Sequence, residues 1–281
     1  MTASRSLHLN LDDAWPDLEG FETLDLRAWG PKLRYHGRRG EVDAFYESVR
    51  GKLTEFVVYG SGDFHYLAAV LLRRVGEPVT VISFDNHPDW DIRPPYWACG
   101  GWVNRAIELR QVRRVSVWGC GNFELSYPSL FFANRRAIRS GRLEVHAWEE
   151  RQPSAVHRRF DCMNRENWRE RFSRFVASHT GEACYVTVDL DCLRDDEAVT
   201  NWEAGMFTVA DVAWAIQELR QGARVIGGDL CGAGSEQTYA RRFQRFAAKW
   251  DHPKLGKSPS NALSINQKAL ETIWPALSAR R

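Results

Sequence analysis

The feature that most constrains this chain is a repeated handover. Short runs rich in Val, Ile, Tyr and Phe stop at clusters of Gly, Asp and His, and a helical pattern follows each one. Such runs at 23–26, 55–59, 80–84, 114–118, 143–146, 185–190 and 223–227 predict strands. Helical spacing near 42–52, 64–74, 102–110, 127–138, 165–178, 209–220, 236–249 and 261–272 predicts the helices between and after them. Alternation of this kind predicts βαβ units, hence a mainly parallel sheet with helices on both faces, a three-layer α/β/α sandwich. Val81-Ile82-Ser83-Phe84 and Tyr185-Val186-Thr187-Val188 are nearly continuous apolar runs, as strands buried on both faces require. Region 1–41, with Asp12-Asp13 and Trp15-Pro16, predicts no more than an edge strand with long loops. No Pro/Gly/Ser-rich or charge-run linker divides the 281 residues, so a single domain over 1–281 is expected.

Charge excludes some functions. Thirty-eight basic residues against 36 acidic ones leave a net +2, without the clustered basic surface of a nucleic-acid binder. The densest basic stretch, 241–249, carries Phe243 and Phe246 with Trp250 following, at helical spacing; it predicts a helix with one buried and one solvated face. The six cysteines form no C-x-x-C pair, so neither a zinc ribbon nor a disulfide scaffold is expected. Residues 1–10 lack an apolar run of signal-peptide length, and no stretch approaches the roughly 18–20 apolar residues of a membrane span. A cytoplasmic protein with a small-molecule substrate, no nucleic-acid or membrane partner and a possible homo-oligomeric state is the expectation.

Three of the polar clusters carry the chemistry. They are Gly60-Ser61-Gly62-Asp63-Phe64-His65, Asp85-Asn86-His87-Pro88-Asp89 and Asp189-Leu190-Asp191, each at the end of an expected strand. In an open parallel sheet, ligands bind outside the carboxyl ends of the strands, so the three can meet in one crevice. Five carboxylates (Asp63, Asp85, Asp89, Asp189 and Asp191) would then share a small volume, with no lysine in the motifs to neutralise them. Two divalent cations would, and His65 and His87 add nitrogen ligands. An oxygen-rich set with imidazole and no thiolate suits Mn²⁺. If the backbone stays extended, residues 85, 87 and 89 face one side, as do 189 and 191.

These motifs resemble those of the arginase and agmatinase (ureohydrolase) family. The first is similar to the family's G-G-D-H with one residue inserted before the histidine, the second to D-A-H-x-D, and Thr187–Asp191 to S-x-D-x-D. Gly205-Met206-Phe207-Thr208 resembles the G-G-L-T stretch that follows, and order and spacing agree from about 55 to 235. The resemblance implies two Mn²⁺ ions, one on His65 and Asp89, the other on His87 and Asp191, with Asp85 and Asp189 bridging. It implies an arginase-like fold and hydrolysis of a C–N bond in a small guanidino, formimino or amide compound by attack of a metal-bridging hydroxide. Asp63 would orient that hydroxide, and Asp89 counts as both ligand and catalytic group. Two departures stand out. The stretch Cys99–Asn104 lacks the family's proton-shuttling histidine, and Gly228-Asp229-Leu230-Cys231-Gly232 lacks its guanidinium-binding glutamate, expected at Gly232 or Cys231.

Further candidates are Glu203 as an acid or base, and Asp91, Arg93, Trp102 and Glu236 as substrate contacts; Glu236 serves only if its loop folds back. Trp90 and Trp97 are candidates for narrowing the pocket, with Asn122 and Glu124 as rim groups. The absences keep open a non-catalytic metal-binding or ligand-sensing protein on the same fold. A phosphoesterase is disfavoured because no Arg/Lys clamp lies near the motifs.

Overall fold

Along the central strands, side chains alternate between two separate cores. In β4 (Val79–Phe84), Val79 and Val81 enter one core and Ile82 and Phe84 the other. In β8 (Ala183–Asp189), Tyr185 faces the first core while Cys184, Val186 and Val188 face the second. A strand with both faces buried must lie between two helical layers. The computed structural model describes residues 6–16, 18–256 and 258–279; residues 1–5 and 17 of the N-terminal segment read above lie outside these.

The remaining strands are β1 (Ser6–Asn10), β2 (Phe21–Asp25), β3 (Phe56–Tyr59), β5 (Val112–Cys120), β6 (Leu143–Trp148), β7 (Asp161–Met163) and β9 (Arg224–Cys231). They form one sheet in the order β2-β1-β3-β9-β8-β4-β5-β6-β7, and every neighbouring pair is parallel. The described helices are α1 (Gly30–Leu33), α2 (Arg39–Val49), α3 (Leu67–Leu71), α4 (Trp102–Glu108), α5 (Arg135–Arg139), α6 (Ser154–His157), α7 (Trp168–Ser178), α8 (Val209–Gly222), α9 (Arg242–Asp251) and α10 (Ala262–Ser278). Helices α2, α3 and α4 cover one face through Phe45, Leu71 and Val103. Helices α7, α8 and α10 cover the other through Phe172, Ile216 and Ile273. This is the expected three-layer sandwich. Region 1–41 departs from expectation, because β1 is an interior strand and only β2 is an edge. No described helix is long and apolar enough to cross a membrane.

Helix α9 also overturns its sequence reading. Its buried positions are Gln244 and Ala248, whereas Phe243, Phe246 and Trp250 are 66%, 59% and 78% exposed. Gln244 wins the inward place because its side-chain amide donates to the backbone carbonyls of Arg34 and His36, bonds that an aromatic ring could not make there. Phe246→Ser is therefore expected to move the unfolding free energy by no more than about 0.5 kcal/mol. A loss above 2 kcal/mol in chemical denaturation would place that ring in the core instead.

Candidate metal centre

The three polar clusters do meet, at the carboxyl ends of β3, β4 and β8. His65 caps a 3₁₀ turn, Gly62–Phe64, that follows β3. Its Nδ1 lies 3.1 Å from Asp85 Oδ2, 3.4 Å from Asp89 Oδ2 and 3.5 Å from Asp189 Oδ2. His87 Nδ1 lies 2.8 Å from Asp191 Oδ2 and 3.6 Å from Asp85 Oδ1. Asp85 thus turns one oxygen toward each imidazole. Two groups with ligand-like spacing result, His65/Asp85/Asp89 and Asp85/His87/Asp191, and a third joins His65, Asp189 and Cys231.

The backbone reaches this arrangement through bends, not through extended alternation. The His87 amide donates to Asp85 Oδ1 at 2.7 Å, and Asp89 takes a left-handed φ of 46°. Asp191 sits in a 3₁₀ turn whose first free amide donates to Asp189 Oδ1 at 3.1 Å. The alternation rule holds only while a residue is in a strand, and these aspartates lie where the strands end.

Hydrogen bonds fix both imidazoles. Thr187 Oγ1 donates its single proton to Asp229 Oδ1 at 2.7 Å, so it accepts from His65 Nε2 at 2.9 Å. The lone pair of His65 then lies on Nδ1, facing the carboxylates. Asp229 is fully buried and also takes hydrogen bonds from the hydroxyls of Tyr59 and Tyr185. His87 Nε2 meets Glu203 Oε2 at 3.3 Å, and its Nδ1 donates to Asp191 Oδ2 at 2.8 Å, a place a metal ion would take over from the proton. Glu203 is carried over the site by the segment after it. The Gly205 amide donates to Asp191 O and the Phe207 amide to Cys192 O, and Thr208 caps α8 in a reciprocal pair with Asp211.

The electrostatics need a counter-charge. Burial pushes Asp89 well above the ordinary carboxylate range, and the Asp85 charge adds to this. Burial and Asp191 push Asp189 up to about 8. Asp85, against its burial, is held low by His65 and His87. His65 Nδ1 and Asp85 Oδ2 are buried and lack any hydrogen-bond partner among the described residues, although they lie 3.1 Å apart. Against their burial, the surrounding carboxylates push His65 and His87 well above the usual imidazole range, so a proton on each stands where a cation would sit. Burial and Asp189 push the Cys231 thiol well up, so a neutral thiol lies 3.6 Å from Asp189 Oδ2. The sequence predicts an oxygen and nitrogen set without sulfur, and the structure places the Cys231 thiol beside it.

A cavity of about 30 Å³ opens onto the cluster, lined by the carboxylates together with Cys99, Asn122, Glu124, Trp202, Glu203 and Asp251. A larger cleft of about 720 Å³ lies beyond Trp202 and Glu203, which line both. It contains no residue of the cluster, so the chemistry belongs to the smaller space.

No protein-family model matches the chain. An uncharacterized protein of Thermotoga maritima is 21% identical over 173 residues, which is 62% of this chain; the match spans only 55% of that protein. Solved structures reach further. Proclavaminate amidino hydrolase from Streptomyces clavuligerus superposes with a TM-score of 0.58 at 10% identity, covering 99% of this chain and 93% of its own. Arginase from Bacillus subtilis gives 0.57 at 11% identity over 99% of both chains. This is the arginase fold. Formimidoylglutamase from Bacillus subtilis shares it, with a TM-score of 0.52 at 12% identity over 87% of this chain and 83% of its own.

Within the arginase fold, several expected site residues take other places. Asp63 faces away from the cluster and binds Arg34 Nη1 at 2.9 Å and His252 Nε2 at 2.6 Å, so four carboxylates, not five, share the uncompensated space. Asp91 and Arg93 pair with each other, and neither lines the cavity. Trp102 is fully buried and packs behind His65 at 4.9 Å between ring centroids. Trp90 and Trp97 pack against Phe160 and Tyr66; the tryptophan at the cavity is Trp202. Glu236 is exposed and its loop does not fold back to the cavity. A glutamate at 232 has no room, because Gly232 has φ 108° and a Cβ there would lie 2.3 Å from Asp189 Oδ1.

Proposed function

We propose that the chain is a divergent, cytoplasmic, single-domain member of the ureohydrolase family. It would hold two Mn²⁺ ions and hydrolyse a C–N bond in a small guanidino, formimino or amide compound. The observation that carries this reading is Asp85, shared between two imidazoles whose Nδ1 atoms both face it. His65, Asp85, Asp89 and Asp189 would hold one ion, and Asp85, His87, Asp189 and Asp191 the other. The ions would supply an activated water and stabilise negative charge on the attacked carbon's substituents. The chain's own groups do the rest. Thr187 and Glu203 hold the imidazoles in the ligating tautomer, Trp202 walls the cavity, and Glu203 brings a partly exposed carboxylate to its mouth, where protons exchange with water. The oxygen-rich set of four aspartates with two imidazoles favours manganese over zinc.

The test is metal analysis of purified protein with a screen of guanidino, formimino and acyl-amide compounds for urea or ammonia release. Turnover that rises with Mn²⁺ and stops with chelator is expected. Manganese at about 100 times its dissociation constant should also add about 2.7 kcal/mol to stability; a melting temperature insensitive to manganese and chelator would reject the centre. Thr187→Val is expected to weaken manganese binding by about 10- to 100-fold with the fold intact. Unchanged affinity in a metal titration would remove Thr187 and Asp229 from any role in orienting His65.

The narrow cavity favours a second reading, a non-catalytic metal-binding protein on the same fold, which needs no more space than about 30 Å³. Any manganese-dependent turnover in the screen disposes of it.

A further inference from the structure

Helix α9 carries the same spacing twice. Phe243, Phe246 and Trp250 recur at i, i+3 and i+7, and so do Arg242, Arg245 and Lys249, one residue out of step. One residue of offset turns the second stripe about 100° around the helix from the first. Gln244 and Ala248 face inward, so both stripes lie on the outer surface, with all three rings largely in solvent. Arg241, just before them, pairs with Glu41, but the three cations of the stripe form no ion pair among the described residues. Asp251 is the one acidic residue of the helix, and it accepts from the Tyr35 hydroxyl at 3.0 Å.

We propose that this face is a docking surface for a lipid bilayer that carries anionic head groups. A helix with aromatic rings on one stripe and Lys or Arg beside it lies flat in a membrane interface. Its rings sit at the acyl boundary and its cations among the head groups. Charge complementarity selects this occupant. A second copy of the chain, meeting this face across a two-fold axis, would bring two cationic stripes together. Single-stranded nucleic acid needs ring faces on which successive bases can stack, whereas Phe246 and Trp250 are tilted by 57° with centroids 6.1 Å apart. A ridge of protruding rings enters fluid lipid without needing a matching groove. Such docking departs from the expectation of no membrane partner, since a helix that lies on a bilayer needs no spanning length.

The experiment is co-sedimentation of the full chain with vesicles of phosphatidylcholine, alone or mixed with phosphatidylserine, at low and high salt. Wild type is expected to bind the mixed vesicles at least about tenfold more tightly, and to lose most of that gain at high salt. Each basic residue near an anionic surface is worth about fivefold, so Arg245→Gln combined with Lys249→Gln should weaken this binding about 25-fold. Trp250→Ser should weaken binding to both vesicle types, with a melting temperature within about 2 °C of wild type. Wild type that stays in the supernatant with mixed vesicles overturns the proposal, and so does binding that these variants leave unchanged. A wild-type oligomer that Trp250→Ser dissociates in sedimentation equilibrium would seat a second copy on this face instead. Oligonucleotide binding lost in the same variants, without vesicle binding, would seat nucleic acid there. Vesicle binding requires no metal, so its outcome is separate from that of the manganese test.

Discussion

Asp85→Ala is expected to strip both ions from the manganese-loaded protein and to lower turnover by more than about a hundredfold. The geometry gives the reason. One carboxylate oxygen faces His65 at 3.1 Å and the other faces His87 at 3.6 Å, so removing the group takes a ligand from both halves at once. Asp191→Ala removes only the partner of His87 and should leave one ion behind. Asp85→Asn is the control for folding, because its amide oxygen can still accept from the His87 backbone as Asp85 Oδ1 does. Metal analysis after dialysis decides the matter. One ion retained by Asp85→Ala would mean that the two halves do not share this carboxylate.

The second large effect is on stability, at Arg34→Ala. The Arg34 guanidinium is 0% exposed and binds Asp12 Oδ2 at 2.6 Å and Asp63 Oδ2 at 2.9 Å. It also donates to Ser61 Oγ and Ser235 Oγ. These four partners lie in the loops after β1, β3 and β9, so one side chain ties three neighbouring strand ends together. Truncating one partner of a buried ion pair costs about 3–5 kcal/mol, because the remaining charge is left buried and unpaired. Asp63 would keep His252, but Asp12 would keep only neutral donors. At roughly 2–4 °C per kcal/mol for a chain of this size, the melting temperature should fall by about 10 °C. Arg34→Lys should fall in between, since a single ammonium cannot reproduce a planar fork to two carboxylates. A loss of less than about 3 °C for the alanine variant would show the network to be dispensable.

How much of this was legible in the sequence follows from what each residue touches. Strands β4 and β8 were legible because burial on both faces leaves a continuous apolar run. β1 and β7 were not. Ser6–Asn10 mixes His8 and Asn10 into a five-residue strand, and Asp161–Met163 is too short to show any period. The metal-facing residues announced themselves because each sits at a strand end or no more than six residues beyond it. Their supports did not, because Thr187 and Asp229 become partners only through the β8–β9 register that sets them opposite each other. Arg34 and His252, which neutralise Asp63, come from segments 29 positions before and 189 positions after it. Helix α9 misled because aromatic rings at helical spacing usually face a core, whereas here two buried carbonyls claimed the inward position for Gln244.

Gly232 limits what can be redesigned here. A Cβ at that position would press on an oxygen of Asp189 and on the Leu190 amide, so grafting an acidic clamp at the end of β9 would damage the metal-facing cluster before it touched a substrate. Attempts to reshape the cavity should therefore begin on the opposite rim, at Phe123, which is exposed and lines the same cavity.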